Sequence, residues 1–281
     1  MLLKLEMKII DCFTFLNEFE LLDLRLSLLN KTVDYFIISE ANVTFTGKQK
    51  EYNFEKKLKK FSKYLDKIIY IKHKPKVDHL DFSIKHNFYT EESPQREVER
   101  SQRNSFVDYL KNFNKNDLFL VSDLDEIWDP RLGTEFRTYS DLEFLCRLEM
   151  KFHYFYFNCQ GIGKNNKSWH KAFFCKVSKL DNFNDLHYIR NNLSIPIIKD
   201  GGWHFSYLAD AQAITKKISS FAHTAFDTPY FNNKEKIQNS IDNAIDPFDR
   251  EDHKWQFKNI SEYPKFLQNE FKKYPRFIRD I

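Results

Sequence analysis

Glycine is scarce in this chain, with 6 in 281 residues. None of them builds G-x-G-x-x-G or G-x-x-x-x-G-K-[ST], which excludes the dinucleotide fingerprint and the P-loop as phosphate cradles. No run of about 18 apolar residues occurs, so no membrane span is expected. Met1 to Ile10 carries Lys4, Glu6 and Lys8, unlike the apolar core of a signal peptide. The four cysteines, Cys12, Cys146, Cys159 and Cys175, form no C-x-x-C pair. They read as free thiols in a reducing compartment, and a cytoplasmic location is expected. Without a secretory signal, the sequons at Asn42, Asn192 and Asn259 read as chance matches. Charge bias is also lacking: 44 basic and 40 acidic residues leave +4, which makes no case for a nucleic-acid partner. Neither an internal repeat nor a low-complexity linker is present, and the length suits one large domain or two small ones.

Aromatic residues are plentiful instead, with 29 Phe and 14 Tyr. Such an excess means a bulky core or sugar-stacking surfaces. The densest chemistry lies in Leu118-Phe119-Leu120-Val121-Ser122-Asp123-Leu124-Asp125-Glu126-Ile127. A short apolar run bounded by polar residues reads as a buried strand. Ligands of open α/β sheets bind beyond the carboxyl ends of such strands. Three crowded carboxylates repel one another and call for a cation, and oxygen ligands select Mg²⁺ or Mn²⁺. The stretch therefore suggests a metal–diphosphate site; the plainer alternative is a strand-to-turn junction, where Asp is common anyway.

Upstream, strands are expected at Lys8 to Phe15, Asp34 to Ser39 and Lys67 to His73. Asn17 with Glu20 approximates a capping box for a helix bearing Leu21, Leu24 and Leu28. Glu51 to Asp66 reads as a solvated, Lys-rich helix, and residues 74 to 93 as a long loop. Ser93-Pro94 opens a helix, Ser as cap and Pro at its first position. Arg96, Arg100 and Arg103 follow at i, i+4 and i+7 near the mouth of the same crevice. Arginine suits phosphate; pairing with Glu97 and Glu99 on a wet surface is the alternative. The order βαβαβαβ points to a parallel, doubly wound half. Glu149 to Asn158 and Lys171 to Ser178 then alternate like antiparallel strands. Gly201-Gly202-Trp203-His204 follows, with His204 either a metal ligand or a structural imidazole. Ile214 to Ala225, with His223 near the end, and Ile237 to Ile245 mark two helices, and the tail from Glu251 reads as a packed surface segment.

Taken in order, several of these segments resemble the glycosyltransferase family that includes the β-1,4-mannosyl-glycoprotein 4-β-N-acetylglucosaminyltransferases, in a bacterial-like form. The resemblance rests on Ile10-Asp11-Cys12-Phe13 with Phe15-Leu16-Asn17-Glu18, and on Asp34-Tyr35-Phe36-Ile37-Ile38-Ser39-Glu40-Ala41-Asn42 with Thr44-Phe45-Thr46-Gly47-Lys48. It continues through Val121 to Ile127, Gly201 to His204 and Ser220-Phe221-Ala222-His223, spanning roughly residues 8 to 250. It implies an α/β fold of GT-A type, a Rossmann-like mixed sheet with helices on both faces. It also implies an inverting, metal-dependent glycosyltransferase using a UDP-sugar, with N-acetylglucosamine as the sugar and a carbohydrate as acceptor.

On that resemblance the chain is one glycosyltransferase domain over 1–281, with a nucleotide-sugar half at 7–130, an acceptor-side half at 131–250 and a tail at 251–281. Asp123 and Asp125 become the metal–diphosphate motif with Mn²⁺ or Mg²⁺, and His204 falls where a further metal ligand is supplied. Asn17, Glu18 and Glu40 fall where such folds hold the nucleoside, and Arg100 or Arg103 would add charge against the diphosphate. Glu126, the carboxylate nearest the motif, is the first candidate for the general base, with Asp181 and Asp200 in reserve. Animal members carry an N-terminal membrane anchor, which this chain lacks, and that weakens transfer of a glycoprotein acceptor. The rival readings are a sugar-phosphate nucleotidyltransferase, a haloacid-dehalogenase-type phosphatase and a non-catalytic carbohydrate-binding protein of the same fold.

Overall fold

The computed structural model describes residues 7–83, 92–138, 145–183, 185–191, 194–220 and 224–281. The expectation for Phe221, Ala222 and His223, the sequon start at Asn192 and residues 84–91 of the 74–93 loop lie outside those residues. The first half alternates strand and helix: β1 (Ile9–Phe15), α1 (Phe19–Leu29), β2 (Tyr35–Ala41), a 3₁₀ segment (Phe54–Lys67), β3 (Ile68–His73), α2 (Pro94–Asn104), α3 (Phe106–Leu110) and β4 (Leu118–Asp123). β5 (Glu126–Trp128) and α4 (Arg131–Thr138) lead into β6 (Leu145–Tyr154), β7 (Cys159–Gly161), β8 (Ser168–Trp169), β9 (Phe173–Lys176) and α5 (Leu186–Asn191). β10 (Ile197–Ser206), α6 (Ala211–Ile218), α7 (Lys234–Asn243), β11 (Trp255–Phe257) and α8 (Lys265–Phe271) complete the chain.

The strands form one mixed sheet in the order β11-β7-β6-β9-β4-β1-β2-β3, with β10 joining β5 to β6 and β8 on β6. β1, β2, β3 and β4 run parallel, and β9 turns the sheet antiparallel against β4 and β6. This is the GT-A type α/β arrangement that the resemblance implies. Register aligns the carboxyl ends: Phe15 lies beside Glu40, and Thr14 beside Asp123. β1, β2 and β4 are buried on both faces, which explains their continuous apolar runs.

Local signals mostly hold. Ser93 Oγ accepts the Arg96 N–H at 3.3 Å, and Pro94 sits at the first helical turn. Asn17 does not cap α1: the cap position is Glu18, whose side chain makes no capping bond to the helix. The expected Lys-rich helix is 3₁₀ and broken at Lys57. The tail is more than a surface segment, because Leu267 and Phe271 are fully buried in the main core.

Beneath the β4–β5 turn lies a buried arginine. Arg25, on the leucine-rich α1, forks onto Asp11 of β1, with Nε to Oδ2 at 2.8 Å and Nη2 to Oδ1 at 2.6 Å. Nη2 also reaches Ser122 Oγ at 2.6 Å, and Nη1 donates to the carbonyls of Asp123, Leu124 and Glu126. Both side chains are fully buried. A buried charge is tolerated only when paired and hydrogen-bonded, and removing one partner strands the other. Arg25→Met should therefore lower unfolding free energy by about 3–5 kcal/mol in urea titration. Arg25→Met with Asp11→Asn should recover part of that loss; a loss under about 1 kcal/mol for the single variant would contradict this account.

Candidate active site

The carboxyl ends of β1 and β4, the loop after β2, and β6, β10 and α6 enclose a cleft of about 340 Å³. Glu18, Asp123, Asp125, Arg190, His204 and Lys217 line it. The tight β4–β5 turn carries the acidic motif, and its two aspartates meet different partners.

Asp123 is bridged by two arginines: Arg103 Nη2 to Oδ1 at 2.6 Å, and Arg190 Nη2 to Oδ2 at 2.6 Å. Burial raises this carboxyl, but Arg190 and Arg103 outweigh it and hold it well below the usual carboxylate range. Each Asp123 oxygen is held by one guanidinium group, and the carboxylate still lines the cleft. Asp125 faces the other wall. Its Oδ1 lies 3.3 Å from His204 Nε2 and its Oδ2 lies 3.4 Å from Lys217 Nζ. Burial raises Asp125 too, and His204 and Lys217 together pull it below its ordinary value.

His204 arrives on β10, where Gly201 and Gly202 allow close approach. A Cβ on Gly202 would sit 2.4 Å from the Ile127 carbonyl oxygen, at φ +141°. The imidazole stacks on Phe152 at 4.7 Å and 4°, and against Trp169 at 4.7 Å. Its Nδ1 is buried with no hydrogen-bond partner among the described residues. Among those residues no cluster of three or more His, Cys, Asp or Glu side chains converges on one point. The two groups here that could hold a divalent ion are an Asp125 oxygen and a His204 nitrogen, which would leave its other positions to phosphate oxygens and water.

Lys217 is the residue that sequence reading missed. It lies on α6 between Asp125 Oδ2 and Glu18 Oε1, 3.4 Å from each. Burial lowers the ammonium, but Asp125 and Glu18 hold it above its usual value, so it stays charged. The basic last turn of α6, Lys216-Lys217, was the available signal. Arg190, on the short α5, was missed likewise; no periodicity marks it.

Several expected site residues are placed elsewhere. Glu126 is fully buried, with Arg190 on both oxygens at 2.7 and 2.6 Å, the Asp123 N–H on Oε2 at 2.9 Å and the Trp169 indole N–H on Oε1. It braces the turn and has no lone pair facing the cleft, so it is not the general base. Asp181 pairs with Lys115 on the surface, and Asp200 is exposed at the β10 bulge. Arg100 points outward to Asp185, whereas Arg103 turns in to Asp123. Glu40 holds its own loop, accepting from Lys50, the Asn53 and Phe54 N–H groups and the Tyr70 hydroxyl. Asn17 is exposed beside the cleft rather than in its wall.

A family model described as glycosyltransferase family 17 matches residues 2–273. No curated protein matches the chain. Among solved structures, the chain is similar to a 4-diphosphocytidyl-2C-methyl-D-erythritol synthase at 10% identity and TM-score 0.42, over 76% of this chain and 98% of that one. It is similar to S. aureus TarS 1-349 at 10% identity and TM-score 0.35, over 84% and 71%.

Two buried histidines set the acid response. His187 Nδ1 lies 2.9 Å from Arg103 Nη1, and burial, then Arg103, pushes the ring down to about 4. His153, against the Tyr263 hydroxyl, is pushed down by burial to about 3. The unfolded chain protonates such rings near about 6.5. Their contribution is thus complete above about pH 6.5 and is lost as pH falls toward the folded values, at up to about 1.4 kcal/mol per pH unit for each ring. Unfolding free energy from denaturant titration should drop between pH 7 and pH 5, and His187→Gln should drop less steeply. Parallel slopes for variant and parent would mean that His187 is already protonated in the fold.

Proposed function

The chain belongs to glycosyltransferase family 17, and from that premise we propose that it is an inverting, metal-dependent transferase moving a sugar from a UDP-sugar to a carbohydrate acceptor. N-acetylglucosamine is the sugar proposed. The observation that carries the reading is the meeting of Asp125, His204 and Lys217 at the carboxyl end of β4. A nucleoside diphosphate is the leaving group of such a donor, and its charge must be met where the bond breaks.

In this reading Asp125 and His204 hold Mn²⁺ or Mg²⁺. The ion would supply neutralisation of the departing diphosphate. Lys217 adds a second positive charge from the opposite wall and can turn from Asp125 and Glu18 toward a phosphate oxygen. Asp123, held by Arg103 and Arg190, presents a fixed, ionised carboxylate as acceptor for sugar or ribose hydroxyls. Glu18 stays at the nucleoside end, beside the β1 terminus. Phe152, Tyr154, Trp169 and Tyr207 line the cleft beside His204, with aromatic edges available to a sugar ring. The cleft admits an acceptor along that wall. No helix of the described residues is long and apolar enough to cross a membrane.

Calorimetry with UDP, with and without Mn²⁺, tests the assignment. Asp125→Asn keeps the shape and removes the charge, and should abolish the Mn²⁺-dependent part of UDP binding, with the melting transition confirming that the variant folds. His204→Ala should weaken that part by tenfold or more, about 1.4 kcal/mol. Asp123→Asn should keep more of it. Equal Mn²⁺ dependence in Asp125→Asn and the parent would remove the metal from the proposal. Release of diphosphate from a sugar phosphate and an NTP, rather than of UDP from the donor, would favour the nucleotidyltransferase instead.

A further inference from the structure

One wall of the cleft carries more positive charge than its carboxylates use. Lys171 precedes β9, and the register of β9 against β4 pairs Phe173 with Val121. Lys171 therefore lies alongside Asp123, one strand further from the nucleoside end. It lines the cleft with Arg96, Glu99, His187, Arg190 and Asn191, and there Glu99 is already paired with Arg96 and Arg103. Its ammonium donates to the Asn191 amide oxygen at 2.9 Å, and among the described residues no carboxylate lies within ion-pair distance of it. Burial lowers this lysine, and Arg190, Arg147 and Arg96 lower it further, with Glu126 acting the other way. Arg190 is already committed to Asp123 and Glu126. Arg147 is buried, donates to the Ile189 carbonyl at 2.9 Å and has an Nε with no hydrogen-bond partner among the described residues. His187 is neutral there and offsets no charge.

Like charges gathered away from water cost free energy unless an anion joins them. We propose that Lys171 marks a subsite for an anionic substituent, a carboxylate or phosphate carried by one of the sugars that meet beyond Asp123. The proposal rests on the transferase reading, because that reading is what brings a donor sugar and an acceptor sugar to this end of the cleft. An anion here completes the field of Lys171 and the neighbouring guanidinium groups without competing for Asp125, His204 or Lys217, which lie across the turn. A charge-assisted bond to a half-buried ammonium is strong enough to select an acidic sugar over its neutral counterpart.

The test compares probes that differ by one charge. In the donor arm, UDP-glucuronic acid is titrated against UDP-glucose. In the acceptor arm, methyl glucuronide and glucose 6-phosphate are titrated against methyl glucoside, with and without UDP and Mn²⁺. The acidic probe should bind about tenfold tighter or more in one arm, which identifies the sugar that carries the charge. Lys171→Met should erase that preference and Lys171→Arg should retain it, with melting temperatures confirming that both variants fold. Equal affinity for acidic and neutral probes in both arms would overturn the proposal. So would Lys171→Met weakening UDP itself as much as the acidic probe, since the anion would then be the diphosphate. Failure of UDP to bind in any titration would speak against the transferase reading alone, because the nucleotide-free acceptor arm still measures the preference.

Discussion

Arg25 holds the β4–β5 turn in place, and every charge in the cleft is referred to that turn. Its guanidinium lies under the turn with no solvent, anchored to β1 through Asp11 and to the turn through three carbonyls and Ser122. A turn bearing Asp123, Asp125 and Glu126 would otherwise be driven apart by its own carboxylates. The arginine supplies a positive centre from below and satisfies the backbone oxygens that a tight turn leaves unpaired. It does so with five donors in a fixed plane, which an ammonium could not match. Two strands and a helix are thereby fixed relative to one another, and the aspartates point from a rigid base.

From that base the charges divide. Asp123 and Glu126 share Arg190, and Asp123 also takes Arg103. Asp125 takes His204 and Lys217. The first group is close to balanced and structural. The second is exchangeable, because an imidazole, an ammonium and a carboxylate at 3.3–3.4 Å are contacts loose enough to open for a ligand. The spacing D-x-D sends both aspartates to one side of the strand end. Their different fates come from what packs against each, and not from the motif.

The parallel half was legible because buried strands and capped helices leave local marks. β1, β2 and β3 read as apolar runs, and Ser93-Pro94 announced α2. Gly201-Gly202 was legible as a close approach, and the structure shows β5 backbone filling the space of a side chain. Arg25 was not legible. It sits among leucines on α1, and its partners lie 14 and roughly 100 residues away in sequence. Arg190 and Lys217 were missed for the same reason, their partners being 64 residues or more away. Glu126 was misread because adjacency in sequence was taken for access to the cleft. Packing against Trp169 and Arg190 seals it.

The two halves of the chain therefore contribute different things. Residues up to Glu126 supply the acidic floor and Arg103, while Arg190, His204 and Lys217 reach that floor from α5, β10 and α6. His204 and Lys217 reach Asp125 only after β10 has joined β5 and β6 and after Ile214 and Ile218 have packed α6 against Phe152 and Tyr154. The floor is held by buried, fully paired charge, so it resists change independently of the cleft. The opposite wall is held by apolar packing behind each cation, leaving the charged ends to exchange partners. Under the proposed transferase reading, that asymmetry would serve to bind a diphosphate and release it: a floor whose charges do not move, facing cations that can.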